Sequence, residues 1–376
     1  MANAALFVES VDLEGGEARS ASWRELCGRA LEANPFAEPA FLLNAARRLG
    51  EAPRLEFLFL WPDERRNRLV GLIALAPPRL PYGVALIWQS EQAALPGLVL
   101  DREAAIAVWT SALAWLKRER RGMAGLLAPT LGVGGATFQS LEESAQREGL
   151  AFLKSNPRRR AMLASARSGG FEGSLPAKRL KEWRRLRRRL EERGALRFLS
   201  ARDSEAFEKF LALEAKGWKG RRGAPLAADS GRAAFARATA SAMASEGKLR
   251  VDRLELGGAT IAAGVILTAG DKAFYWKTAF DEGLAEYSPG VLLTLDLSRL
   301  QERDANVSLT DSCAIEGHPM IERVWPERLA FVDGLIAIRP GVEATLKLWL
   351  ARRELARWAK ESAKRLIYPL LGRKRS

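Results

Sequence analysis

The segment from Lys272 to Leu297 reads KAFYWKTAFDEGLAEYSPGVLLTLDL and joins a predicted strand to a predicted helix. The aromatic, strand-like run ends at Asp281, and the helix is expected to begin at Ser288-Pro289-Gly290. Ser288 is a typical N-cap residue, Pro289 suits the first helical turn, and Gly290 leaves the backbone accessible. Free N–H groups at such a start can bind a pyrophosphate, although many similar helix starts hold only water.

Length and composition limit the class of protein. The chain has 376 residues, of which 48% are hydrophobic, so it can form two compact domains of ordinary size. Its apolar runs are shorter than the roughly 20 residues that a membrane-spanning helix needs. The opening sequence MANAALFVES lacks the basic and then apolar order of a signal peptide. We therefore expect a cytoplasmic protein.

Cysteine and histidine are scarce. Cys27 and Cys313 lie far apart in the sequence, which argues against a disulfide framework, a zinc cluster or a CxxC redox pair. His318 is the single histidine, so metal sites with two imidazoles are excluded and no metal is expected. Any catalysis by an imidazole must use His318.

The net charge of +14 arises largely from two basic clusters, residues 178–193 and residues 347–376. Leu180, Trp183, Leu186 and Leu190 keep helical spacing through the first cluster, which predicts an amphipathic helix with an arginine-rich face. That face is either solvated or a surface for RNA or anionic lipid. In the second cluster, Ala344, Leu348, Ala351, Leu355, Trp358, Ser362 and Leu366 predict an apolar helix face opposite Arg353, Arg357, Lys360 and Lys364. The apolar face either packs on the protein or contacts a membrane.

Two parts of the chain repeat one order of elements: strand, two helices, three strands, helix, strand, helix, strand. We predict a duplicated mixed α/β fold, in which residues 1–165 and 195–340 each form a twisted mixed sheet flanked by helices. A basic linker helix at 175–194 lies between them, and a basic amphipathic helix or tail at 341–376 follows. The arginine- and glycine-rich stretch 157–173 is expected to be a break, and Asp101 is expected to cap the helix 102–121.

This element order resembles the GNAT acyltransferase fold. Four motifs in order resemble the CelD/BcsL family of GNAT-related proteins: the basic helix, FLALEAKGWKGR (Phe210 to Arg221), YWKTAFDEGLAEYSPGVLL (Tyr275 to Leu293) and DSCAIEGHPMIERVW (Asp311 to Trp325). That family is associated with cellulose and exopolysaccharide synthesis, and it is similar to the Fem aminoacyltransferases in having two GNAT-like halves.

The resemblance implies acyl transfer from acetyl-CoA or another acyl-CoA to an amine or hydroxyl acceptor bound between the halves. It implies a coenzyme site formed by the backbone of Thr278, Ala279 and Phe280 and by the helix start at Tyr287, Ser288, Pro289, Gly290 and Val291. The residues expected to contact substrate are Trp218, Lys219, Arg221, Lys277 and Asp281. The glycine-rich turn at 217–223 could equally be a flexible connection that packs Trp218 on a neighbour.

Proton transfer is assigned by chemistry to His318, with Asp311 or Glu316 to orient it. The alternative is that His318 anchors its loop. A nucleophilic pair of Cys313 with His318 is disfavoured, because a buried cysteine usually behaves as a small hydrophobe. The tyrosine that protonates the thiolate in many GNAT enzymes has no counterpart at 320–324. Two alternatives stay open: a Fem-like transferase using aminoacyl-tRNA, and a noncatalytic accessory protein of exopolysaccharide synthesis.

Overall fold

The computed structural model describes residues 5–51, 54–78, 83–165, 170–217, 226–227 and 229–372. The elements of the first half are β1 (Phe7–Val11), α1 (Leu13–Ala18), α2 (Ser20–Gly28), α3 (Pro39–Arg48), β2 (Glu56–Trp61), β3 (Gly71–Ala76), β4 (Val84–Ile87), β5 (Leu98–Leu100), α4 (Ala105–Glu119), β6 (Gly125–Gly132), α5 (Ala136–Arg147) and β7 (Phe152–Ala164).

The second half begins with a short turn of helix and the basic helix. Its elements are α6 (Gly170–Gly173), α7 (Ala177–Glu191), β8 (Leu196–Ala201), α8 (Ser204–Lys216), α9 (Ser230–Ser245), β9 (Leu249–Leu256), β10 (Ala259–Ala269), β11 (Lys272–Phe280), α10 (Pro289–Glu302), β12 (Leu309–Asp311), α11 (Ile321–Val324), β13 (Glu327–Ala337) and α12 (Glu343–Gly372). Short 3₁₀ helices occur at Pro35–Ala37 and Glu282–Tyr287.

The thirteen strands of the described residues form one mixed sheet in the order β1-β2-β3-β4-β6-β13-β7-β12-β11-β10-β9-β8, with β5 on β3. From either end the sheet has three antiparallel pairs, then one parallel pair, β4 with β6 or β11 with β12. The next strand on each side comes from the other half, because β13 joins β6 and β7 joins β12. The duplicated mixed α/β fold is thus confirmed, but the two expected sheets are joined into one by this exchange.

Strand β7 replaces the predicted break after Ser155. It runs through Pro157 to Ala164, so the predicted end of this strand was nine residues short. Its pairing with β13 shifts between Ser155 and Arg158, and Asn156 has a φ of 53° there. Pro157 is tolerated because a bulge needs no N–H donor at that position. The strand can therefore continue to the second half.

The helix pairs of both halves share one core on one face of the sheet. Phe41 of α3 contacts Phe235 of α9 and Trp276 of β11, with ring centroids 5.3 and 5.5 Å apart. On the other face, α4 and α5 cover the first half, while α7, α10 and α11 cover the second. The shared core fixes the two halves against each other.

Helix α12 packs through a face that the sequence pattern did not predict. Leu346 and Leu350 are buried against β6 and β13. Leu348, Leu355 and Trp358, from the predicted packing stripe, are instead 54%, 64% and 67% exposed. The helix is turned because Arg353 and Arg357 form ion pairs with Asp333 of β13. No helix in the described ranges is both long and apolar enough to cross a membrane.

Candidate active site

A cavity opens where the parallel pair of the second half ends. Strands β11 and β12 pair only over Lys272–Phe274 and Leu309–Asp311. Beyond that segment, a cavity of about 540 Å³ lies between the end of β11, the start of α10, the end of α8 and residues 315–323. Of the sequence-predicted residues, the following line it: Thr278, Ala279, Phe280, Ser288, Gly290, Val291 and His318. Tyr287 and Pro289 are buried beside it.

The start of α10 is formed by backbone rather than by a side-chain cap. Ser288 has left-handed backbone angles, φ 52° and ψ 51°, and its side chain makes no capping hydrogen bond, so the prediction that it caps the helix was wrong. An N-cap side chain reaches the first turn from an extended backbone, which Ser288 lacks. The carbonyl of Ser288 accepts the N–H groups of Val291 (2.9 Å) and Leu292 (3.1 Å). Gly290, one residue before the first of these donors, lines the cavity with its backbone N–H group.

Gly290 permits a close approach of two segments. A Cβ atom at this position would lie 2.7 Å from Sδ of Met320 and 3.2 Å from Cδ1 of Phe280. Any larger residue must displace at least the Met320 side chain. The helix start, the end of β11 and the loop before α11 therefore meet around Gly290.

His318 is held by backbone groups. Its Nδ1 atom accepts the N–H groups of Met320 at 3.3 Å and Ile321 at 3.4 Å. A neutral imidazole whose Nδ1 accepts carries its proton on Nε2. These bonds thus favour the tautomer in which His318 is a hydrogen-bond donor through Nε2.

The two carboxylates expected to orient His318 are engaged with β7 and its neighbours. Asp311 is buried and accepts the Arg160 guanidinium at 2.7 Å and the N–H of Cys313 at 2.8 Å. Glu316 is exposed and accepts the N–H of Arg159 at 3.1 Å. Both carboxylates thereby fasten the segment after β12 to β7.

The thiol of Cys313 is unsuited to nucleophilic attack. Burial, reinforced by the negative charge of Asp311, raises the pKa of Cys313 well above its ordinary value. Because the thiolate is the nucleophilic form, a thiol with a raised pKa reacts poorly. This agrees with the expectation that Cys313 and His318 do not form a catalytic pair.

The remaining residues that were predicted to contact substrate are Lys277, Asp281, Trp218, Lys219 and Arg221. Lys277 donates to Oε1 of Gln92 at 2.9 Å and so reaches the first half. Asp281 accepts the N–H of Gly283 at 2.8 Å and caps the 3₁₀ helix Glu282–Tyr287. Trp218, Lys219 and Arg221 lie outside the described residues.

Glu214 is a candidate functional residue that the sequence patterns did not predict. This residue of α8 lines the cavity and is only 3% exposed. Its Oε2 atom accepts the N–H of Leu226 at 2.8 Å. The sequence carries one sign that Glu214 is buried: it follows Phe207 and Phe210 at helical spacing, on the buried face of α8. A carboxylate at such an apolar position marks a functional candidate.

In the part of the chain that the structure describes, no group of three or more histidine, cysteine, aspartate or glutamate side chains is placed to hold a metal ion.

Comparison with known proteins finds a recognised domain that contributes part of the cavity wall. Residues 177–301 match the family model described as an acetyltransferase (GNAT) domain. No curated protein is significantly similar to the chain. The match includes β11 and most of α10, and it supports the expectation of a GNAT-type acyltransferase; the closer CelD/BcsL assignment stays a prediction.

Solved structures extend the likeness in fold to nearly the whole chain. FemX has a TM-score of 0.57 at 12% identity, covering 87% of this chain and 96% of its own. A conserved protein of unknown function from Bacteroides thetaiotaomicron gives 0.51 at 11% identity, covering 89% and 100%. The C-terminal domain of a proposed lysylphosphatidylglycerol synthetase from Agrobacterium fabrum gives 0.51 at 13% identity, covering 89% and 96%.

Proposed function

We propose that the protein transfers an acyl group from acetyl-CoA or another acyl-CoA to an amine or hydroxyl acceptor. The observation that carries this proposal is the cavity of the GNAT-matching half, which brings the end of β11 and the start of α10 together at Gly290. The Gly290 N–H and the positive end of the 14-residue helix α10 suit the pyrophosphate of the coenzyme. The thioester would then lie along Thr278, Ala279 and Phe280.

The side chains of the cavity divide the chemical tasks. The Nε2–H of His318 suits stabilisation of negative charge on the thioester oxygen or on the departing sulfur. Glu214 is a carboxylate that can accept the proton of the acceptor ammonium or hydroxyl. The acceptor atom then forms a bond to the carbonyl carbon, the carbon–sulfur bond breaks, and the coenzyme leaves as its thiolate.

A difference between the halves supports a single coenzyme site. The turn before α4 in the first half already holds the buried carboxylate of Asp101. This carboxylate accepts the N–H of Glu103 at 3.0 Å and the guanidinium groups of Arg29 and Arg68, each at 3.1 Å. In the first half, the carboxylate of Asp101 therefore fills the region before the helix. In the second half, the corresponding region beside Gly290 is left for a ligand.

Within this function, we propose a CelD/BcsL-type enzyme whose acceptor belongs to exopolysaccharide or cell-envelope synthesis. The proposed units are residues 1–165, the linker helix 175–194, the acyltransferase unit 195–340 and the tail 341–376. The alternative of a Fem-like transferase using aminoacyl-tRNA draws on α7. Several of its arginines are paired internally, as Arg185 is with Glu182 and Arg187 with Asp296, which favours a structural role for that face.

Binding measurements test these alternatives. Calorimetry with acetyl-CoA should show one site, and its affinity should depend weakly on salt. Binding of tRNA would instead fall steeply and linearly in a log–log plot against salt, because cations are released from the phosphates. Binding of neither ligand would favour an accessory role without catalysis.

We further propose a cytoplasmic protein that contacts the membrane peripherally through the exposed face of α12. Leu348, Leu355 and Trp358 present apolar surface to solvent on a helix whose other face packs on the sheet. Such a helix can place its apolar side chains at the lipid headgroup boundary while nearby cations bind anionic lipid. The chain would thereby work next to a membrane-bound assembly.

A further inference from the structure

A second cavity lies between the two halves of the chain, at the opposite end of β11 from the proposed coenzyme cavity. Its volume is about 390 Å³, within the range of about 300–1,000 Å³ that is usual for pockets that bind small organic molecules. Lys272 and Phe274, at the start of β11, are part of its wall, whereas the coenzyme cavity begins at Thr278 of the same strand. Among the described residues, none lines both cavities. The two cavities are therefore separate sites.

More than half of the residues in the wall of this second cavity are apolar. Leu98 and Leu131 belong to the first half, and Phe274, Leu309 and Leu329 belong to the second. Contact between such a wall and a hydrocarbon group removes apolar surface from water, which is favourable. Part of the ligand should therefore be apolar.

Two of the four charged side chains in the wall are already paired. Asp311 accepts a hydrogen bond from the guanidinium group of Arg160 at 2.7 Å. Arg328 donates to Oε2 of Glu322 at 2.9 Å and to the backbone carbonyl of Trp325 at 2.6 Å. The charges of Asp311 and Arg328 are thus compensated within the protein.

Glu32, the third charged side chain of the wall, is held at the start of α5. Its Oε2 atom accepts the N–H group of Thr137 at 3.1 Å. Helix α5 has 12 residues, and the macrodipole of a helix stabilises negative charge at its N-terminus. The carboxylate therefore stabilises this helix start, and its negative charge opposes more than one further negative charge in the cavity.

Lys272, the fourth charged side chain, is half-buried and has no such partner. It makes no hydrogen bond or ion pair with any residue in the described part of the chain. It lies on the same face of the sheet as Phe274 and Leu309, because alternate residues of a strand and paired residues of neighbouring strands share a face. An ammonium group beside apolar surface attracts an anion more strongly than it would in bulk water. Lys272 thus offers one positive charge next to an apolar wall.

We propose that this cavity binds a monocarboxylate with an apolar chain. The carboxylate is bound by the ammonium group of Lys272, and the chain lies along Phe274, Leu309 and the leucines of the first half. One ammonium group neutralises one negative charge, and Glu32 repels a second, so a monocarboxylate suits the cavity better than a phosphate dianion. The site does not rest on the proposed function.

Titration calorimetry on the full chain tests this proposal with sodium octanoate as the probe. The wild type should bind octanoate more tightly than acetate, which lacks the chain, and more tightly than octan-1-ol, which lacks the charge. Lys272→Gln should weaken octanoate binding about tenfold or more, because a charge-assisted hydrogen bond is lost, and should leave the binding of octan-1-ol unchanged. Lys272→Arg keeps the positive charge and should retain most of the affinity.

The matched control is Lys178→Gln, which changes an exposed lysine of α7 and should bind octanoate like the wild type. Because Lys272 has no partner in the described ranges, Lys272→Gln should melt close to the wild type. No octanoate binding by the wild type, equal affinity of the wild type for octanoate and octan-1-ol, or equal octanoate affinity of the wild type and Lys272→Gln would each overturn the proposal. Loss of binding in Arg323→Ala, which changes the coenzyme cavity, without loss in Lys272→Gln would also overturn it, because the probe would then bind in the other cavity.

Discussion

The Sδ atom of Met320 lies 2.7 Å from the point where a Cβ atom of residue 290 would be, so Gly290 and Met320 fit only because residue 290 has no side chain. This contact closes the cavity between the first turn of α10 and the loop that carries His318. Because two separate segments meet here, even a small substitution at Gly290 should change the affinity of the cavity for its ligand.

Replacing Gly290 by glutamate should abolish or strongly weaken acyl-CoA binding. The new carboxylate would lie at the helix start, where it would repel the pyrophosphate. Calorimetry with acetyl-CoA measures the effect. Gly290→Ala is the matched control for bulk, and its smaller defect should be relieved in the double variant Gly290→Ala/Met320→Ala. Wild-type affinity in Gly290→Glu would remove the helix start from the coenzyme site.

Replacing His318 by alanine should lower turnover about 10²–10³-fold, the range for loss of one donor to a developing negative charge. The affinity for acyl-CoA should change little. His318→Gln, which keeps a side-chain N–H donor, should recover part of the rate. Steady-state kinetics with a saturating donor measures this, and a loss below tenfold in His318→Ala would show that the residue only anchors its loop.

Replacing Glu214 by glutamine should lower turnover about 10²–10⁴-fold, because the amide cannot accept the acceptor's proton. Its oxygen can still accept the N–H of Leu226, so the fold should be retained. Glu282→Gln is the matched control, because Glu282 lines the same cavity but is half-exposed. Equal effects of both changes on the rate would argue against a specific role for Glu214.

Local patterns were sufficient to predict most strands of the sheet and the start of the helix beside the cavity. The alternation and turn signals between Leu249 and Phe280 predicted the three strands of the second meander, and the Ser288-Pro289-Gly290 break predicted the start of α10. These features depend on residues close in sequence. The GNAT resemblance then located the cavity next to them.

The features that the sequence did not predict depend on distant partners. Pro157 suggested a break, but pairing of β7 with β13 and β12 keeps the strand extended through its bulge. Arg353 and Arg357 were placed opposite the apolar face of the predicted helix, but ion pairs with a single buried carboxylate, Asp333, turn them inward. The local signal at Glu214 is only its spacing on the buried face of α8, and the folded cavity is needed to show that this carboxylate lines a possible site.

Lowering the pH should reduce the contribution of Asp101 to the free energy of unfolding. Burial alone would raise the pKa of Asp101, but the Glu103 N–H and the guanidinium groups of Arg29 and Arg68 hold it below its ordinary value. A carboxylate with a lowered pKa in the folded state stabilises the protein above the unfolded pKa of about 3.9, and this contribution is lost as the pH falls through the folded pKa.

Asp101→Asn should therefore reduce the free energy of unfolding at pH 6 by about 1–2 kcal/mol, because two partly exposed guanidinium groups lose their charged partner. The difference between wild type and variant should shrink as the pH falls below about 4, where the unfolded chain takes up the proton first, and should be lost below the lowered folded-state pKa of Asp101. Urea unfolding at several pH values measures this. A difference that is constant with pH would show that the charge of Asp101 is not stabilising. Affinity for acyl-CoA should be unchanged.

Peripheral membrane contact is best tested without shortening the chain, because Leu346 and Leu350 of α12 are part of the core and a chain ending at Pro340 would expose it. The triple variant Leu348→Gln/Leu355→Gln/Trp358→Gln changes only exposed side chains. We expect the wild type to sediment with phosphatidylserine-containing vesicles and the triple variant to remain in solution, since burial of apolar side chains and about 1 kcal/mol for each nearby cation both favour the bound state.

The control for that experiment is Val133→Gln/Ile315→Gln, which removes two exposed apolar side chains outside α12. It should sediment like the wild type, and salt should release both proteins, because part of the attraction is electrostatic and is screened. Equal sedimentation of the wild type and the triple variant, or none by either, would refute contact through α12. Loss in the control alone would move the membrane surface to the side of the molecule that carries Ile315.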